Sequence, residues 1–128
     1  MPKLLVIDDD EQYRVMVRRM LEAGGHEVFD ASNAATGHDL FVGEKPDLVI
    51  TDILMPGTDG IELITRFIAE RPDVPIIAIS GGGKCPPDLY LASSQYLGAT
   101  RTLPKPFRRA ELLSVVDEIL TASASESD

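Results

Sequence analysis

Short apolar runs alternate with longer segments of helical period along this chain, and no other feature of the sequence restricts the fold as strongly. The runs predicted as strands are Lys3 to Ile7, Glu27 to Ala31, Leu48 to Thr51, Ile76 to Ser80 and Thr100 to Leu103. Several of them are too apolar to face solvent, which is typical of a parallel sheet covered by helices on both faces. The pattern therefore predicts an α/β protein with a five-stranded parallel sheet, and a right-handed strand order of 2-1-3-4-5 would make its first and third strands neighbours.

Five helical segments are predicted between and after these strands. They are Tyr13 to Leu21 ahead of Gly24-Gly25, about Asn33 to Val42, Ile61 to Ile68 ahead of Pro72, Pro87 to Gly98, and about Arg108 to Ala122. In the first, third and fifth, apolar residues recur at helical spacing and so share one face. Ser32 or Asn33 is predicted to cap the second helix, and the third should stop before Pro72, because a residue that precedes proline avoids the helical region.

Length and charge limit the domain count and the classes of function. A chain of 128 residues has room for one domain of ordinary size, predicted over residues 1–122, and the polar segment 123–128 is predicted to be a disordered tail. The formal net charge of −9 opposes direct binding to nucleic acid or to anionic membranes. A single cysteine and a charged, non-apolar start are typical of a cytoplasmic protein, and no apolar run approaches the roughly 20 residues of a membrane span.

Polar side chains occupy the positions where the predicted strands end. Asp8, Asp9 and Asp10 follow the first strand, Asp52 follows the third, Ser80 ends the fourth and Lys105 follows the fifth. Ligands of open parallel sheets bind beyond the carboxyl ends of the strands, and Asp8, Asp9 and Asp52 are predicted to converge there if the first and third strands are neighbours. Three carboxylates in one pocket require a counterion or protonation. A divalent cation is the natural counterion, and an all-oxygen ligand set favours Mg²⁺.

Taken singly, each of these residues also has a simpler structural explanation. Asp9 or Asp10 can cap the first helix, and we assign that role to Asp10. Asp52 is equally explained as a turn aspartate, Ser80 as a strand-end hydroxyl and Lys105 as a solvated lysine. Their joint occurrence at the same end of different strands favours one shared site.

Four segments of the chain resemble the receiver domain of response regulators, and the resemblance covers about residues 3 to 122. They are Val6-Ile7-Asp8-Asp9-Asp10, Asp52-Ile53-Leu54-Met55-Pro56-Gly57-Thr58-Asp59-Gly60, Ile76-Ile77-Ala78-Ile79-Ser80 and Leu103-Pro104-Lys105-Pro106-Phe107, in the family's order. The resemblance implies the doubly wound (βα)5, flavodoxin-like fold. It also implies a phosphoacceptor in two-component signalling, which is switched by phosphorylation and is not an enzyme acting on an external substrate.

The resemblance further implies a role for individual residues. Asp52 would accept a phosphoryl group from a sensor histidine kinase or a phosphotransfer protein. Asp8, Asp9 and Asp52 would bind Mg²⁺, with the main-chain carbonyl of Leu54 as a further ligand.

Other implied roles concern catalysis and switching. Lys105 and Ser80 would neutralise charge on the transferring phosphoryl oxygens, and Lys105-Pro106 resembles the family's cis peptide. Thr102 stands where the family usually has an aromatic residue. The connection after the fourth strand, which begins with Gly81, Gly82 and Gly83, is longer than is common in the family. We hypothesise that the segment Gly81 to Pro86, with Ser80 and Thr102, carries the switch. Leu54 and Gly82 cannot hydrogen-bond water through their side chains, which predicts slow self-dephosphorylation.

Two other functions stay open from the sequence. An aspartate-nucleophile phosphatase also forms an aspartyl phosphate, but such enzymes generally place a second carboxylate where this chain has Leu54. A receiver-like interaction module that is never phosphorylated is the other alternative, favoured by Thr102 and opposed by the complete set of acidic, hydroxyl and lysine residues. The sequence identifies neither the donor kinase nor the downstream protein target.

Overall fold

Strands and helices alternate along the chain as the apolar pattern predicts. The structure is a computed structural model that describes residues 2–52, 54–55, 58–80, 100–104 and 107–126. The strands are β1 (Lys3–Ile7), β2 (Glu27–Ala31), β3 (Leu48–Asp52), β4 (Leu54–Met55), β5 (Thr58–Asp59), β6 (Ile76–Ser80) and β7 (Arg101–Pro104). The helices of the described residues are α1 (Glu11–Ala23), α2 (Ala34–Glu44), α3 (Gly60–Glu70) and α4 (Arg109–Glu126).

Five of the strands form one parallel sheet in the order β2-β1-β3-β6-β7. This is the predicted order 2-1-3-4-5 once the short antiparallel ribbon of β4 and β5 is set aside. Ile7 of β1 lies opposite Ala31 on one side and Thr51 on the other, and Asp52 lies opposite Ile79 of β6. The carboxyl ends of β1, β3 and β6 therefore meet at one edge of the sheet.

The central strands β1, β3 and β6 are buried on both faces, which explains why they are apolar at most positions. Successive side chains of a strand point to opposite faces, so alternate residues enter different apolar layers. The layer under α1 and α4 includes Leu4, Val6, Val17, Leu21, Val28, Leu48, Ile50, Ile77, Ile79, Leu112, Val116 and Ile119. The layer under α2 and α3 includes Leu5, Ile7, Ala31, Phe41, Val49, Leu63, Ile64, Phe67, Ile76 and Ala78.

Side-chain caps confirm two predicted helix starts. The Asp10 carboxylate accepts a hydrogen bond from the Tyr13 amide at 3.2 Å, and α1 therefore begins just beyond the carboxyl end of β1. The Asn33 side chain accepts from the Thr36 amide at 2.8 Å. Of the two caps predicted for the second helix, the structure therefore selects Asn33.

Several boundaries differ from the prediction. Strand β3 is one residue longer, to Asp52, and β7 is shifted by one residue to start at Arg101, although the Thr100 amide still donates to the Ile76 carbonyl at 2.8 Å. Helix α4 continues to Glu126 instead of ending near Ala122, so most of the predicted tail is helical. The prediction ended the helix where apolar residues ended, but Ser, Ala and Glu provide no stop signal and a helix can continue without burying them. The predicted helix 87–98 lies outside the described residues.

Gly37 allows α2 to pack closely against β1. A Cβ atom on Gly37 would lie 2.6 Å from Ile7 Cδ1 and 2.9 Å from Ile7 Cγ1, and Ile7 is fully buried. We expect Gly37→Ala to lower the free energy of unfolding by about 1 kcal/mol, because overpacking outweighs the roughly 1 kcal/mol helix preference of alanine. Gly43→Ala in the same helix meets no atom within 4 Å and should instead raise stability by about 0.5 kcal/mol. Urea denaturation checks both, and equal responses would contradict the close approach.

Candidate functional site

Three carboxylates meet at the carboxyl edge of the sheet. Each of Asp8, Asp9 and Asp52 contributes an oxygen, and these three oxygens all lie within 4.8 Å of one another. Asp8 is fully buried, Asp52 is 4% exposed, and Asp9 is exposed. The structure thus brings together the three acidic residues that the sequence predicts to converge, with one side of the cluster open to solvent.

Asp8 is held through its main chain as well as its side chain. It is the first residue beyond β1, and its amide donates to the Ala31 carbonyl of β2 at 3.1 Å. Its Oδ1 accepts from the Asp10 amide at 2.9 Å, and its carbonyl oxygen accepts from Arg14 Nη1 at 3.0 Å. These contacts fix the point at which the chain leaves the sheet and enters α1.

Asp52 is the last residue of a strand that is buried at all five positions. Its strand lies between β1 and β6, with Asp52 itself opposite Ile79. The Thr51 hydroxyl donates to the Asp52 carbonyl oxygen at 3.1 Å, on the opposite face of the sheet from the Asp52 side chain. The Asp52 carboxylate therefore stands on a rigid central strand and not on a loop.

The charges and donor types of the cluster suit a hard divalent cation. Two unit charges 4.8 Å apart repel by about 3.5 kcal/mol at an effective dielectric constant of 20. Carboxylate oxygens are ligands that Mg²⁺ prefers, and Mg²⁺ usually keeps several waters beside one or two carboxylates. The exposed side of the cluster at Asp9 leaves space for such waters. The residues present therefore fit Mg²⁺.

Removal of one charge from this cluster should stabilise the metal-free protein. Asp8→Asn keeps the side-chain oxygen that accepts from the Asp10 amide but removes one negative charge. In chelator we expect the free energy of unfolding to rise by about 2 kcal/mol, because the substitution relieves the repulsion between carboxylates. The rise is smaller than the full repulsion of a pair, because solvent at the exposed Asp9 screens part of it. In Mg²⁺ at 100 times its dissociation constant, wild type should gain about 2.7 kcal/mol and the variant much less.

Urea denaturation in chelator and in Mg²⁺ measures both effects. Asp117→Asn, on the exposed face of α4, is the matched control and should change stability by less than about 0.5 kcal/mol in either condition. An Asp8→Asn protein that is less stable than wild type in chelator would contradict the repulsion argument.

Two other predicted site residues are described only through their main chain. Ser80 ends β6 and pairs with Pro104 of β7, at the same edge of the sheet as Asp52. Leu54 begins the β4–β5 ribbon opposite Asp59, two residues after Asp52. The charge-neutralising role of the Ser80 hydroxyl and the metal ligation by the Leu54 carbonyl stay predictions.

The predicted switch and cis-peptide residues are described in part. Thr102 lies in β7 opposite Ala78, and its side chain is half-buried. Lys105, the Lys105-Pro106 peptide and the glycines 81–83 lie outside the described residues. Their roles also stay predictions.

A pair of charged residues next to the cluster was missed by the sequence interpretation. Arg14 of α1 contacts the main chain of Asp8, and its Nε lies 3.0 Å from Asp30 Oδ2 on β2. The available signal was the strand period, since Asp30 shares a face with Val28 and that face is covered by α1. A carboxylate on that face requires a cationic partner from the helix.

No helix within the described part of the chain is both long enough and apolar enough to cross a membrane.

Curated relatives and solved structures share the sequence and the fold of this chain. The DNA-binding transcriptional regulator NtrC of Azospirillum brasilense is 38% identical over 120 residues, which cover 94% of this chain and 24% of that protein. Sporulation initiation phosphotransferase F of Bacillus subtilis is 30% identical over 118 residues, covering 92% of this chain and 93% of that protein. The crystal structure of a response regulator receiver domain protein from Clostridium thermocellum superposes with a TM-score of 0.88 at 28% identity, covering 97% of this chain and 98% of that one.

These relatives differ in how much of their length the chain matches. The chain spans about a quarter of NtrC and nearly all of phosphotransferase F. The sequence profile described as the response regulator receiver domain matches residues 4–117. This range includes all residues of the five sheet strands except Lys3, the first residue of β1. The flavodoxin-like fold is thereby confirmed, and the chain belongs to the response regulator receiver domain family of two-component signalling systems.

Proposed function

We propose that this chain is a magnesium-dependent phosphoacceptor that receives a phosphoryl group on Asp52 and thereby switches a protein-protein interaction surface. The observation that carries the proposal is the convergence of Asp8, Asp9 and Asp52 within 4.8 Å at the carboxyl edge of the sheet. Receiver domains in general are phosphoacceptors and not classical enzymes. The donor class that follows is a histidine kinase or a phosphotransfer protein carrying phosphohistidine.

In the proposed reaction the Asp52 carboxylate attacks phosphorus. The new P–O bond forms as the P–N bond to the donor imidazole breaks, and the electron pair of that bond leaves with the imidazole. The product is an acyl phosphate. Because Asp52 sits on the buried strand β3, its carboxylate is oriented before the donor arrives, which lowers the entropic cost of reaction.

The metal site serves this reaction by neutralising charge. Asp8, Asp9 and Asp52 would hold Mg²⁺, with the Leu54 carbonyl as a further proposed ligand. When bound, Mg²⁺ stabilises negative charge on the phosphoryl oxygens. The chain's own part is to hold two buried carboxylates and one exposed carboxylate in fixed positions, which leaves the exposed side for the incoming donor.

Lys105 and Ser80 are proposed as the remaining charge-stabilising groups. Strand β7 ends at Pro104, one residue before Lys105 in the sequence, and Pro104 pairs with Ser80. Both strand ends lie at the Asp52 edge of the sheet, which supports the assignment. A lysine ammonium and a hydroxyl there would stabilise charge as it develops on the transferring oxygens.

The conformational response is proposed to start from the new charge on Asp52. An acyl phosphate adds nearly two negative charges and strong acceptors, which attract the Ser80 hydroxyl and the glycine segment 81–83. Thr102, which lies opposite Ala78, stands where the family usually has an aromatic residue. Its side chain is too small to transmit the change as an aromatic ring would. Amide hydrogen exchange with and without a beryllofluoride mimic tests this, and unchanged protection over residues 80–83 would contradict it.

The phosphoacceptor function is tested by incubating the protein with acetyl phosphate in Mg²⁺ or in chelator and measuring intact mass. We expect the mass of one phosphoryl group to be added only in Mg²⁺ and to be removed by hydroxylamine, which cleaves acyl phosphates. Release of inorganic phosphate over many turnovers of a small phosphate ester would favour the phosphatase alternative. Failure both to gain mass and to bind Mg²⁺ would favour an interaction module that is not phosphorylated.

A further inference from the structure

We propose that Arg14 is a positioning residue for the metal site, and that it acts by tying the peptide between Asp8 and Asp9 to Asp30 on the edge strand β2. The inference rests on the proposed function, because it assigns Arg14 a role in Mg²⁺ binding at Asp8 and Asp9. Arg14 itself would not be a metal ligand.

The Arg14 guanidinium contacts two strands at once. Its Nη1 donates to the Asp8 carbonyl oxygen at 3.0 Å, at the end of β1, and its Nε donates to Asp30 Oδ2 at 3.0 Å, on β2. The side chains of Arg14 and Asp30 are only 15% and 22% exposed, so water competes weakly for these bonds. A planar guanidinium can direct two donors to two fixed acceptors, whereas a lysine ammonium is a point charge on a flexible stem.

The Asp8 carbonyl is an effective point at which to hold the site. It belongs to the rigid peptide plane that links Asp8 to Asp9, the two residues that contribute adjacent carboxylates. The Asp8 amide is already fixed by Ala31, and Asp8 Oδ1 by the Asp10 amide. Without Arg14, this peptide loses a bond that restrains its rotation, and both carboxylates move with it.

Arg18 provides a matched control on the same helix. Its Nη1 lies 2.7 Å from Asp30 Oδ1, the other oxygen of the same carboxylate, and its Nε lies 3.5 Å from Glu22. Arg18 therefore shares the Asp30 partner of Arg14 and carries the same charge. Its described contacts do not include the Asp8 main chain.

The direction of the effect separates positioning from electrostatics. Removal of a cation near a magnesium site lowers the repulsion that Mg²⁺ feels, so electrostatics alone predicts tighter binding by an arginine-to-alanine variant. Loss of positioning predicts weaker binding. Partners that orient metal ligands typically change affinity by about 10-fold or more, which exceeds the effect of one partly exposed charge.

The experiment is isothermal titration calorimetry with MgCl₂ on wild type, Arg14→Ala, Arg14→Lys and Arg18→Ala. We expect the Mg²⁺ dissociation constant to rise about 10-fold in both Arg14 variants. For Arg18→Ala it should stay within about twofold of wild type. In ¹H–¹⁵N spectra of the metal-free proteins, the Asp10 amide, which donates to Asp8 Oδ1, should shift in the Arg14 variants and not in Arg18→Ala.

The outcomes separate this inference from the proposed function. If wild type itself binds no Mg²⁺, the proposed function fails and the inference with it. If wild type binds Mg²⁺ and Arg14→Ala binds it equally or more tightly, the positioning role is wrong while the proposed function stands. Should Arg14→Ala fail to fold, Arg14→Lys, which keeps a cation opposite Asp30, decides the question by the same two readouts.

Discussion

Asp52→Asn should abolish the magnesium-dependent gain of a phosphoryl group while leaving the fold intact. Asparagine matches the shape of aspartate, but its amide is not a nucleophile toward phosphorus. Because the substitution removes a charge from a repulsive cluster, the variant should be no less stable than wild type in chelator. Intact mass after incubation with acetyl phosphate measures the gain, and circular dichroism reports the fold.

Asp47→Asn is the matched control for this prediction. Asp47 immediately precedes β3, at the opposite end of the strand from Asp52, where its carboxylate accepts from the Lys3 amide at 2.8 Å. This variant should gain one phosphoryl group as wild type does. A phosphoryl group on the Asp52→Asn protein would show that another residue is the acceptor and would overturn the assignment.

Phe67→Ala should cause the largest loss of stability among single substitutions that we propose. The Phe67 side chain is fully buried in the layer under α2 and α3 and stacks on Phe41 of α2, with ring centroids 4.2 Å apart. Deletion of a buried phenylalanine ring costs about 3 to 5 kcal/mol through lost transfer energy and the cavity that remains. We expect a loss of about 4 kcal/mol, a large part of the stability of a domain of this size.

Urea denaturation measures this loss, and an exposed apolar residue supplies the comparison. Val42 of α2 is 55% exposed, so Val42→Ala should change stability by less than about 0.5 kcal/mol. A double-mutant cycle with Phe41→Ala should also give a coupling of about 1 kcal/mol, since the two rings are in direct contact. If Phe67→Ala cost no more than Val42→Ala, the aromatic contact between α2 and α3 would not support the fold.

Local patterns in the sequence located the five strands of the parallel sheet to within one residue and identified candidate caps for two helices. The runs from Lys3 to Ile7, Glu27 to Ala31 and Ile76 to Ser80 matched their strands residue for residue. In β1 and β6 the reason is that burial on both faces leaves a nearly continuous apolar run. Asp10 was identifiable as a cap, and Asn33 as one of two candidates beside Ser32, because a cap bonds an amide only three residues away. The end of α4 was not predictable by the same rule, since the sequence at its last turn carries no terminating residue.

What the sequence determined by itself about this protein is the order of its elements and the placing of acidic residues at the ends of β1 and β3. Only the tertiary structure decided that oxygens of Asp8, Asp9 and Asp52 approach within 4.8 Å, and that Arg14 joins Asp8 to Asp30. The physical reason is the separation along the chain. Periodicity and capping act over a few residues, whereas strand register and charge pairing connect residues that lie far apart in sequence and meet only when the sheet and its covering helices pack together.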